Sequence, residues 1–156
     1  NKGRLQEVLD IIEQSEGKVI VFVPFIAALH DVRDQIAKHH ATEMVFGGTK
    51  KTDRDTAFWR FQNLPASESR VLVANAAAMS HGLTLTEAST LVWWAPTTSH
   101  ETFDQANHRI IRPGQKRKTL IVMLEGTEVE RRIYARLQQK QDMQGLFLES
   151  VSGKLD

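Results

Sequence analysis

The chain has 156 residues, 41% of them apolar, which is enough for one substantial core and too short for two ordinary domains. Its 20 basic and 19 acidic residues nearly cancel, so any affinity for a polyanion must come from local clustering and not from net charge. The absence of cysteine excludes disulfides, thiolate metal sites and cysteine nucleophiles, and the apolar runs fall far below the ~20 residues a membrane helix needs, so a soluble, cytoplasmic protein is expected.

Leu5, Val8, Leu9, Ile11 and Ile12 recur at helical spacing, and Glu16-Gly17-Lys18 then stops the helix. The run Val19-Ile20-Val21-Phe22-Val23 is β-branched and lacks polar alternation, which predicts a central parallel strand covered on both faces. Ile26, Leu29, Val32 and Ile36 mark a second helix running to about His39. A short strand Met44-Val45-Phe46 follows, then a Gly47-Gly48 turn and a helix from about Thr52 that carries Phe58, Trp59 and Phe61.

Further strands are predicted at Val71–Ala74, Thr90–Trp94 and Thr119–Leu124, with helices at Ser99–Ile111 and from Glu128 to about Gln141. Thr127 and Glu130 have the spacing of a capping box for the last helix. Leu146-Phe147-Leu148 and Val151 suggest a short docking segment, with a frayed end over residues 150–156. Strand and helix in alternation predict an α/β domain of three layers, with a mostly parallel sheet between two sets of helices. In such a sheet ligands gather at the carboxyl ends of the strands.

None of the loops expected there contains the G-x-x-x-x-G-K-[ST] phosphate cradle, so the chain cannot hold a triphosphate alone in that manner. The most informative segment is Phe103 to Gln115. Arg109 and Arg112 lie three apart, on one face of a helix, with Gln105 one turn before Arg109 and Pro113-Gly114 closing the segment. Two permanently charged planar forks aimed the same way suit the equatorial oxygens of a transferring phosphoryl group. Taken on spacing alone, a pair of arginines bound to surface carboxylates explains the pattern better.

Context favours the phosphoryl reading. Gln105-Ala106-x-x-Arg109-x-x-Arg112-x-Gly114-Gln115 resembles motif VI of Swi/Snf-type superfamily II ATPases. Ala77 to Thr86, with Gly82-Leu83-Thr84-Leu85-Thr86 at its end, resembles motif V, and Val19–Phe25 resembles motif IV. Val92 to Pro96 fits the strand before motif VI, and Gly126-Thr127-Glu128-Val129-Glu130 fits that family's helix after the last strand. The resemblance runs in order from about Gly17 to about Lys140, and the wording around Arg112-Pro113-Gly114-Gln115 is similar to phage and prophage members.

The resemblance implies the C-terminal RecA-like lobe of a DNA-dependent ATPase. Arg109 and Arg112 would be arginine fingers toward ATP and Mg2+ held on a separate N-terminal lobe. Gly82, Thr84 and Gln105 would lie at the nucleotide, and Gly48, Thr49 and Asn75 at the backbone of double-stranded DNA. The complete protein is then an ATP-dependent helicase or translocase, and this lobe alone is expected to be inactive. A non-catalytic RecA-like module that docks on nucleic acid or protein is the alternative, told apart by whether an ATPase lobe lies upstream.

Three departures bear on these roles. Thr84 stands where the family usually has asparagine, Val23-Pro24 where it often has Ser-Gln, and Ile111 where a histidine often separates the arginines. Lys116-Arg117-Lys118 reads as a solvated turn. Around the six histidines no acidic partners recur at ligand spacing, so no metal site is expected. Trp59, Trp93 and Trp94 are expected in the core.

Overall fold

The computed structural model describes residues 2–79, 85–108, 119–139 and 147–151. The apolar run after Gly17 forms strand β1 (Lys18–Phe22), which is buried along its whole length. It is flanked on one side by β3 (Val71–Ala74) and on the other by β4 (Ala88–Trp93). With β2 (Thr42–Val45), β5 (Leu120–Leu124) and β6 (Phe147–Val151) these make one parallel sheet in the order β2-β3-β1-β4-β5-β6.

Alternation along the strands divides the core into two layers. Val19, Val21, Val71, Val73, Val92 and Val122 face α1 (Lys2–Gln14) and α2 (Ile26–Ala37), where Val8, Ile12, Leu29, Val32 and Ile36 are buried. Ile20, Phe22, Leu72, Leu91, Trp93, Ile121 and Met123 face the opposite layer. That layer holds α3 (Lys51–Asn63), α4 (His100–His108) and α5 (Glu128–Gln139), together with a one-turn 3-10 helix over Ala76–Met79.

The centre of this second layer is a cluster of tilted aromatic rings. Trp93 lies 4.8 Å from Phe22 and 4.9 Å from Phe103, centroid to centroid, and all three are fully buried. Burial of Phe22 and Phe103 stabilises the fold by roughly 1.5–3 kcal/mol each.

Local signals set the element ends. Ser99 caps α4, its Oγ accepting from Thr102 N at 3.1 Å. Thr127 Oγ1 accepts from Glu130 N at 3.1 Å, and the Glu130 carboxylate accepts from Gly126 N at 2.7 Å, so the expected cap forms with its return bond one residue earlier. At the other end of the sheet Lys18 is buried and donates to the carbonyls of Phe61 and Leu64, closing the last turn of α3. Burial lowers the pKa of this ammonium, against the pull of Glu87 and Glu43.

Several expectations are corrected. Trp59 is not a core residue: it sits on the outer face of α3 and is 59% exposed. Phe58 and Phe61 take the buried stripe of that helix instead. The docking segment expected near the carboxyl end is strand β6, which extends the sheet beside β5 and includes Ser150 and Val151, two residues expected in the frayed tail. Its sequence Phe-Leu-Glu-Ser-Val is too short to show a period, so only pairing with β5 defines it. Trp94 follows β4 and is half-buried against the α1–α2 layer. The segment expected to continue α4 to Ile111, and the Lys116–Lys118 turn, lie outside the described residues.

A candidate nucleotide and nucleic-acid interface at the carboxyl edge

Chain direction marks one point on the sheet. The connections leaving β2, β3, β4 and β5 enter the α3–α4–α5 layer, whereas the connection leaving β1 enters α2 on the opposite face. A crevice therefore opens at the carboxyl end of β1, where neighbouring chains part, and such switch points are where open parallel sheets bind ligands.

The loops around it are tied together by named bonds. Asn75, just after β3, donates from Nδ2 to the carbonyls of Pro24 at 3.3 Å and Val23 at 3.5 Å. Its Oδ1 accepts from Ala77 N at 3.0 Å and so sets the first turn of the 3-10 helix. One amide thus joins the loop after β1 to the loop after β3. The Val23-Pro24 pair contributes carbonyls here and no side-chain donor, as its sequence implies. Beside it Phe25 and Ile26 project outward, 59% and 52% exposed.

The loop after β2 stands next to this crevice through α2, where His30 meets Phe46 edge-on with ring centroids 5.1 Å apart. Thr49 folds the turn back: its Oγ1 accepts from Phe46 N and its N–H donates to Phe46 O, each at 3.0 Å. Gly47 and Gly48 are exposed at the tip. A Cβ on Gly48 would stand 2.8 Å from Phe46 Cε2, so the residue is small because the phenyl ring lies under it.

On the other side of the crevice α4 packs against the 3-10 helix, bringing the segments resembling motifs V and VI together. Gln105 is on the solvent face of α4, with Nε2 3.2 Å from Glu101 Oε1, while Phe103, Ala106 and Asn107 fill the inner face. The remaining expected site residues, Gly82, Thr84, Arg109 and Arg112, lie outside the described residues.

Sequence reasoning missed a buried ion pair at the same edge. Arg4, on the first turn of α1, donates from Nη1 to Trp94 O at 2.7 Å and makes a two-pronged pair with the Glu130 carboxylate at 2.7 and 3.0 Å. The guanidinium also lies 5.9 Å from the Trp94 ring centroid. Burial pushes the Glu130 carboxyl up, but the bonds from Arg4 and Gly126 outweigh it and hold the group below the usual carboxylate range. Arg4 thereby fastens α1, on one face, to the loop that follows β4 and to the first turn of α5 on the other. Nothing in a lone arginine on an amphipathic helix signals this, because the partners are 90 and 126 residues away.

Among the described residues the histidines do not gather. His40 stands 3.3 Å from Glu13, and its imidazole is held below its ordinary pKa by burial, with Glu13 pulling the other way. His108 stands 3.2 Å from Asp104 on its own helix. Among the described residues no three histidine or acidic side chains form a metal-ligand cluster.

A parallel RecA-like sheet with this switch point is the setting in which the family comparison is decisive: the model of the helicase conserved C-terminal domain matches residues 3–114. The chain belongs to that family. This helicase C-terminal domain is 27% identical over 153 residues to the chromatin-remodeling ATPase INO80 of Lodderomyces elongisporus, a match covering 94% of this chain and 9% of that protein. It is 26% identical over 152 residues to an uncharacterized ATP-dependent helicase of Mycoplasma pneumoniae, covering 92% of this chain and 14% of that one.

Among solved structures, the Sulfolobus solfataricus SWI2/SNF2 ATPase core in complex with dsDNA superposes with a TM-score of 0.69 at 26% identity, over 88% of this chain and 30% of that one. The C-terminal part of the Fun30 ATPase domain gives 0.76 at 18% identity, over 92% and 47%, which is a likeness of fold. The helicase C-terminal domain spans only about a tenth of the curated relatives it matches. Among the described residues no helix is long and apolar enough to cross a membrane.

Proposed function

We propose that this domain is the second motor lobe of an ATP-dependent DNA translocase or helicase, supplying Arg109 and Arg112 as arginine fingers to a triphosphate bound on an upstream lobe. The observation that carries the reading is the Gln105, Arg109, Arg112, Gly114-Gln115 series in a RecA-like helicase C-terminal domain. Closure of the two lobes would bring the guanidinium groups to the phosphoryl oxygens, and opening would withdraw them, so that each cycle shifts one lobe against the other. Gln105, an exposed amide on α4, together with Gly82 and Thr84, would face the nucleotide. Mg2+ and the phosphate chain are assigned to the upstream lobe, since no loop of this chain carries the G-x-x-x-x-G-K-[ST] cradle that would hold them.

DNA would run along the carboxyl edge. Gly48 and Thr49 would present the β2 turn to a phosphate, a role for backbone N–H groups that carries no sequence information. Asn75 already spends its amide on Pro24, Val23 and Ala77, so its contribution would be to hold the two loops at the spacing that the backbone requires. The SWI2/SNF2 ATPase core, similar in fold and sequence, is in complex with dsDNA, which supports a duplex as the track. A DNA-associated place in the cell follows from this reading.

The test is turnover by the full-length protein. Duplex DNA is expected to raise its ATP hydrolysis, and Asn75→Ala is expected to raise the half-stimulating DNA concentration about fivefold, the equivalent of ~1 kcal/mol, at unchanged kcat. A full-length protein that binds duplex but hydrolyses no ATP would instead be a non-catalytic docking module.

A further inference from the structure

The inner face of α4 carries one polar side chain in an apolar setting. Asn107 is fully buried between the sheet and α4, one turn after Phe103. Its Oδ1 accepts from the indole Nε1 of Trp93 at 2.9 Å. Among the described residues its buried Nδ2 has no hydrogen-bond partner. Trp93 is itself fixed from several directions, packed between the tilted rings of Phe22 and Phe103 and receiving a bond from Tyr134 Oη to its carbonyl at 3.4 Å.

An apolar residue would fill this position without leaving a buried amide donor unanswered, and burial of that kind is unfavourable unless it secures something else. What the bond secures is direction. The other buried residues of α4 are a ring and a methyl group, Phe103 and Ala106, and dispersion contacts tolerate small rotations about a helix axis. A hydrogen bond to an immobile indole does not, because its strength falls steeply with angle.

Asn107 faces inward while Gln105 and His108 face outward, and Arg109 follows two residues later in the chain. We infer that Asn107 is a positioning residue: its bond to Trp93 fixes the rotation of α4 about its axis and so sets the direction of Gln105, which the reading above places at the nucleotide. This rests on the arginine-finger reading above. Neither Asn107 nor Trp93 touches substrate; each acts through the helix.

The test is a double-mutant cycle on kcat in the full-length protein, using Asn107→Leu, Trp93→Phe and the pair together, with calorimetry to restrict the comparison to variants fully folded at the assay temperature. Each single change breaks the same bond from opposite ends. The expected result is a fall in kcat of about tenfold or more for either single variant, because small misplacements of reacting groups are amplified in the rate. The affinity for ATP should stay at the wild-type value, and the double variant should be no slower than the slower single one, since the bond can be lost only once.

A purely structural role moves the melting temperature but leaves kcat of the folded protein unchanged. Wild-type kcat in a folded single variant would overturn the inference, as would effects that multiply in the pair. If one variant does not fold, the other single change decides alone. Arg112→Ala measured beside them separates the two claims: if it keeps full turnover, the finger reading fails first, whereas its inactivity beside fully active Asn107 and Trp93 variants removes only the positioning role.

Discussion

Arg112→Ala in the full-length protein is expected to lower kcat for ATP about a thousandfold or more while leaving ATP affinity and thermal stability close to wild type. Removal of an arginine finger typically costs 10³–10⁵ in rate, and a thousandfold corresponds to ~4 kcal/mol of transition-state stabilisation. On the proposed reading the loss should fall on kcat, because charge on the equatorial oxygens is redistributed on the way to the transition state while the ground state would be held by the upstream lobe. Arg112→Lys should recover little, since an ammonium cannot reproduce the planar two-donor fork. Steady-state ATPase assays with saturating duplex check both variants.

The second large effect is on stability. Arg4→Met removes the partner of a carboxylate that is mostly out of solvent, with side-chain exposures of 7% for Arg4 and 19% for Glu130. Breaking such a pair from one side costs about 3 kcal/mol, because the remaining charge is stranded. The midpoint of urea unfolding at pH 7 should fall accordingly.

The same pair has a pH signature. Glu130 titrates below its ordinary value in the folded chain, so its contribution is whole above the unfolded carboxylate pKa of about 4.3 and disappears as pH falls through the folded value. In Arg4→Met that acid-labile contribution should be gone, and the difference from wild type should shrink toward low pH. Arg4→Met combined with Glu130→Leu removes both charges and should recover much of the loss at pH 7. A single variant as stable as wild type would show that the pair is solvated in solution.

Much of this fold is legible in the residues because both kinds of period are clean. Val19–Val23 has no polar member, and only a strand covered on both sides tolerates that; β1 is such a strand. Leu29, Val32 and Ile36 have helical spacing and all three are buried. Trp59 defeats a reading by period because Phe58, Trp59 and Phe61 are clustered too tightly for one helix face, and period alone does not say which aromatic is left outside. Strand β6 escapes because a short edge strand is defined by pairing with β5, which is not local information.

Site legibility divides the same way. The resemblance of the Gln105–Gln115 series to motif VI can be noticed because its residues sit in one stretch of chain. Arg4, Glu130, Asn75 and Asn107 do their work through partners brought near by the fold. Glu130 is legible only as a cap and Asn107 only as a polar residue four after Phe103, on the face where a further apolar residue belongs.

The central claim is that this lobe stabilises charge in the transition state of ATP hydrolysis. The most direct measurement is the affinity of the full-length protein for ADP with aluminium fluoride, compared with its affinity for ADP alone, in wild type and in Arg109→Ala/Arg112→Ala. If the lobe acts as described, the double variant binds ADP as wild type does and loses the added affinity for the transition-state mimic by orders of magnitude. Equal affinity for the mimic in both proteins would contradict it.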